Sequence, residues 1–169
     1  MHALLEKLTG GDRRSIGRSE KVAAQVLANH DLLSVLFEGL LVDDPLVRMR
    51  SADALEKVSA RHPDWLQPYR RRIIEEVATS QQQEVRWHVC QFFSRLQLDA
   101  KERQEVYAIL QGYLGDKSRI VRTFVMQALS DLARQDEGLR PQIIAQLQEL
   151  ACSDSAAMRA RGKKLLSDL

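Results

Sequence analysis

The chain has 169 residues, 44% hydrophobic and 28% charged, which is enough apolar material for a packed core and excludes a chain disordered by composition. Only 8 Gly and 4 Pro stand against 24 Leu and 17 Ala, a balance that disfavours a many-stranded or loop-rich fold and favours helices. Lys and Arg number 25 and Asp and Glu 23, so the formal charge of +2 supplies no bulk attraction to nucleic acid or to an anionic membrane.

Helices are predicted near 2–8 and 18–29, with Gly10-Gly11-Asp12 as a turn between them. A helix over 31–42 is followed by Asp44-Pro45, which reads as N-cap plus first helical position of a helix over 45–61. The next pair spans 65–79, with Pro68 in its first turn, and 82–95. Asp99-Ala100-Lys101-Glu102 reads as a capping box opening 100–114, and 118–134 follows. The last pair spans 139–152, with Pro141 in its first turn, and 155–168. No stretch approaches the roughly 20 apolar residues of a membrane span. No basic segment leading into an apolar one opens the chain. Cys90 and Cys152 both lie in helical, apolar contexts, so a reduced, cytoplasmic setting without membrane attachment is expected.

Four segments share one pattern. They are Asp43-Asp44-Pro45-Leu46-Val47-Arg48, Gln82-Gln83-Glu84-Val85-Arg86, Asp116-Lys117-Ser118-Arg119-Ile120-Val121-Arg122 and Asp154-Ser155-Ala156-Ala157-Met158-Arg159. Their arginines are 38, 36 and 37 residues apart. Offsets −1, +7 and +10 from each Arg share a helix face. They supply an expected core of Val47, Leu55, Val58, Val85, Phe93, Leu96, Val121, Leu129, Leu132 and Leu166. The period divides a single domain, 1–169, into a degenerate N-terminal helical cap (1–29) and units at 30–63, 64–99, 100–138 and 139–169. Each unit is helix, turn, helix.

The unit length, the Asp-rich turn, the Val-Arg pair opening each second helix and the Ala-x-x-Leu-like runs (Ala52-Asp53-Ala54-Leu55, Ala128-Leu129) resemble HEAT repeats over residues 30–169. The resemblance implies an all-α, right-handed α-solenoid of about four HEAT-like helical hairpins. It also implies a structural ladder, in which the turn acids Asp43, Asp116 and Asp154 meet the motif arginines Arg48, Arg86, Arg122 and Arg159. The second unit departs from the pattern, with Gln81-Gln82-Gln83 where Asp is usual.

His2, His30, His62 and His88 have no partners at a metal-ligand spacing, and no H-E-x-x-H, C-x-x-C or Gly-rich phosphate loop occurs. No metal, cofactor or catalytic residue is therefore expected. The Arg70-Arg71-Arg72 run stands on a first helix, which in HEAT-like stacks forms the convex side. Away from the core stripe of the second helices lie Arg50, Asp53, Lys57, Trp87, His88, Gln91, Arg95, Phe124, Gln127, Asp131, Arg161 and Lys164. The resemblance puts these in rows along a concave face. Trp and Arg are favoured contact residues at interfaces. The expected function is a non-enzymatic scaffold or adaptor that binds another protein or peptide through these rows. The alternative is a nucleic-acid-binding or DNA-repair protein similar to the HEAT-like alkylpurine DNA glycosylases, with Trp87 beside Asp53, Asp131 or Arg95 as an aromatic-plus-acid pocket.

Overall fold

A computed structural model describes residues 1–153 and 155–169; Asp154, one of the expected turn acids, lies outside them. Among the described residues the protein is all-helical, with no strand. The helices are α1 (Ala3–Glu6), α2 (Ser19–Ala28), α3 (Leu33–Glu38), α4 (Pro45–Arg61), α5 (Arg70–Glu75), α6 (Gln83–Phe93), α7 (Ala100–Leu114), α8 (Arg119–Gln135), α9 (Arg140–Leu150) and α10 (Ala156–Ser167). Three short 3-10 segments join them.

Local signals set the starts. The Asp44 carboxylate accepts from the N–H groups of Leu46 and Val47, with Pro45 in the first turn. Asp99 and Glu102 form the reciprocal capping box of α7. Ser118 and Ser155 cap α8 and α10 through their hydroxyls. The single helix expected over 65–79 is broken instead into a 3-10 segment, Pro63–Tyr69, then α5, then a 3-10 turn, Val77–Thr79. Pro68 lies inside the first of these. It has no N–H to donate to the carbonyl four residues back, so an α-helical ladder cannot run through it unbroken.

The chain forms two compact units, Met1–Arg95 and Leu96–Leu169. In the first, α2 and α6 pack on α4, as does α3. Val22, Val26, Leu36, Phe37, Val47, Leu55, Val58 and Phe92 are wholly buried there. In the second, α8 packs against α7, α9 and α10 around Leu110, Val125, Leu129, Ile143 and Leu147. One expected core residue moves. Leu166 is half-buried, while Met158, Gly162 and Leu165 form the inner face of α10. The backbone sets this face: a Cβ on Gly162 would stand 2.9 Å from Cα of Ala151, at the end of α9.

Three of the four motif arginines bond to the backbone. Nη1 of Arg48 donates to the carbonyls of Val42 (2.8 Å) and Asp43 (2.9 Å). Nε of Arg86 donates to the Ser80 carbonyl (2.8 Å), and Nη1 of Arg159 to the Ser153 carbonyl (2.9 Å). The contact these three share is the carbonyl six residues earlier, so each arginine ties its second helix to the turn of its own unit. This replaces the expected contact of Arg48 with the Asp43 carboxylate. Among the described residues Nε of Arg122 is buried without a hydrogen-bond partner; Asp154, a turn acid of the expected ladder, lies outside them. Gln82 makes one of the links between the first and second repeats. Its Oε1 accepts from Nε of Arg48 (3.2 Å), and its Nε2 donates to the Pro45 carbonyl (2.8 Å).

Candidate interaction face

On the first unit, α4 and α6 lie against each other and carry a network of half-buried polar side chains. The Asp53 carboxylate accepts from Nζ of Lys57, one helical turn on, and from the Ser19 hydroxyl of α2. Glu56 is held by Arg95, whose Nη2 ion-pairs with its carboxylate. Nη1 of Arg95 donates to the Glu56 carbonyl (2.9 Å) and to the Ser59 hydroxyl (2.7 Å). Nε2 of Gln91 also reaches the Glu56 carboxylate, at 3.4 Å. That orientation leaves Oε1 of Gln91 to accept from Nδ1 of His88 at 2.9 Å.

His88 is 7% exposed. Burial lowers its pKa, against the opposing pull of Asp53, the Gln91 hydrogen bond and Glu56. The imidazole ring stands edge-on to half-buried Trp87, with centroids 5.8 Å apart. Thus Asp53, Trp87, His88, Gln91 and Arg95 meet in one cluster. Lys57, also expected on this face, joins them, and Glu56, Ser59 and Ser19, which no sequence signal pointed to, complete it.

Arg50 does not belong to this face. It is 2% exposed and points into the N-terminal segment. Its guanidinium donates to the carbonyls of Leu8 (2.8 Å), Gly10 (2.7 Å), Asp12 (3.0 Å) and Ser15 (3.0 Å). The segment curls tightly enough that a Cβ on Gly17, at φ +57°, would come within 2.7 Å of the guanidinium carbon. The offset that places Arg50 outside the core stripe is blind to this cage, because its partners are backbone atoms far back in the chain.

On the second unit, Nε2 of Gln127 donates to the Asp131 carboxylate (3.1 Å), which also pairs with Arg134 (2.9 Å). Nη1 of Arg161, on α10, donates to Oε1 of Gln127 (2.9 Å), aligning the two helix faces. Phe124 is apart from these groups. It is half-buried in a cleft of about 400 Å³ between the first turns of α8 and α10.

Two arginines of the Arg70-Arg71-Arg72 run are engaged by acids. Arg71 pairs with Glu75, while Arg72 holds Glu76 and Glu38 and covers the Phe37 ring. The Glu75-Glu76 doublet is thereby two ion-pair partners. Among the described residues, no group of three or more His, Cys, Asp or Glu is placed to hold a metal ion. No described helix is long and apolar enough to cross a membrane. Comparison with protein-family models finds no match to this chain, and comparison with curated proteins finds none.

Proposed function

We propose that the chain is a HEAT-like α-solenoid acting as a protein-interaction module, with the α4–α6 face as a contact surface for another protein or peptide. The observation that carries this reading is the ordered network beside half-buried Trp87. Arg95, Gln91, His88 and Glu56 already hold one another, so a partner docking on Trp87 meets side chains that need no further ordering. The 36–38-residue period and the arginine-to-carbonyl contact repeated in three units support the solenoid.

A photo-crosslinking residue at position 87, with one at position 71 as the control on α5, tests the face in cell extract. The expected result is a discrete protein adduct from position 87 and none from position 71. Equal labelling at both, or labelling from position 71 alone, removes the α4–α6 face.

A further inference from the structure

The α8–α10 face of the second unit combines two features that the network above does not use. The first is apolar. Ile120 is 52% exposed, one turn before Phe124, and both line the cleft with Thr123, Ala156 and Ala157. The second is charge. Within α8 and α10 there are seven basic residues and one acidic residue, Asp131, which is already paired with Arg134. Arg119 stands on the cleft wall. Along α10, Ala157, Arg161 and Lys164 follow at helical spacing, so the apolar floor runs into a basic stretch. Neither Arg119 nor Lys164 has an ion-pair partner among the described residues, and both are exposed.

We infer that this face binds a short acidic peptide carrying one large aliphatic or aromatic anchor. The anchor fills the cleft against Ile120 and Phe124, and its acidic side chains face Arg119 and Lys164. From Ala157 to Lys164 is about 10 Å at 1.5 Å per residue. That is about three residues of extended peptide at 3.3 Å each. The peptide therefore places Asp or Glu about three positions from its anchor. The exposed aliphatic floor decides for a peptide over a nucleic acid, since a phosphate backbone gains nothing from Ile120 in a cleft of methyl groups. The inference deepens the interaction-module reading and rests on it, but not on Trp87.

The test is selection of the full chain against a phage-displayed library of random peptides. The best synthetic peptide is then titrated by fluorescence anisotropy. Enriched peptides are expected to pair a large apolar residue with Asp or Glu. Ile120→Asp should weaken binding roughly tenfold or more, as for loss of an anchor contact. Lys164→Glu should weaken it too, and a peptide with Lys in place of its acid should recover binding to that variant. Both substitutions are at exposed positions, and unchanged circular dichroism confirms the fold. Trp87→Ala should leave this affinity intact, so failure here and failure of the α4–α6 face are told apart. Absence of enrichment, enriched peptides without acids, survival of binding in Ile120→Asp, or tighter binding of single-stranded DNA than of the peptide would each overturn the inference.

Discussion

Arg50 carries a positive charge into a site where its partners are backbone carbonyls of residues 8–15. Truncation leaves those carbonyls facing one another across a void, and a hydrogen bond to a charged group is worth about 1.5–3 kcal/mol. Arg50→Ala should therefore destabilise the fold by about 3 kcal/mol. It should also open the segment between α1 and α2 to limited proteolysis. Arg50→Lys should rescue little, because a single ammonium cannot reproduce a planar fork of donors. Urea melts and trypsin digestion of the three proteins check both statements.

His88 gives the second residue-scale prediction. An unfolded histidine titrates near 6.5, and burial lowers this one in the fold. Above about 6.5 both states are neutral and the folded state bears no penalty. As pH falls through that value, the unfolded chain takes up the proton first, so stability is lost. The urea midpoint of the parent should drop between pH 7.5 and 5.5 by more than that of His88→Gln. Equal drops would show that another group is responsible.

At the scale of elements, two glycines separate packing from propensity. Both lie in helices, where Ala is favoured over Gly by about 1 kcal/mol. On Gly112 of α7 a Cβ meets nothing within 4 Å, so Gly112→Ala should stabilise by up to about 1 kcal/mol. On Gly162 the same atom would strike Ala151, backbone included, so Gly162→Ala should cost about 1–3 kcal/mol. Thermal or denaturant melts of the two variants should move in opposite directions. Wholly buried Leu129, on α8, sets the scale for the core, and Leu129→Ala should cost about 2–5 kcal/mol.

Helix starts were legible where the signal is local. Asp44-Pro45 and the Asp99–Glu102 box act within four residues, and α4 and α7 span the ranges their sequences predict. The core of the first three repeats was legible for a related reason, since its period follows from helix geometry alone. Legibility failed where a decision is made across space. The inner face of α10 depends on how close Ala151 comes to Gly162, which no periodicity records. The Glu56–Arg95 pair depends on the register of α4 against α6. The cage around Arg50 depends on carbonyls, which carry no letter in the sequence.

At the scale of the whole molecule, far-ultraviolet circular dichroism should show a helical spectrum with no strand component. The same backbone dependence that hides Arg50 has a consequence for how such a chain can change. The arginine of the first repeat grips the carbonyls of Val42 and Asp43, and every residue type carries that oxygen. Turn side chains are therefore free to drift without touching the grip. The second repeat carries Gln81 and Gln82 where the first has Asp43 and Asp44, yet Arg86 holds the Ser80 carbonyl, and Gln82 makes a contact between repeats that a carboxylate could not, since it both accepts and donates. A design that recognises the main chain leaves the letters around it open to new uses.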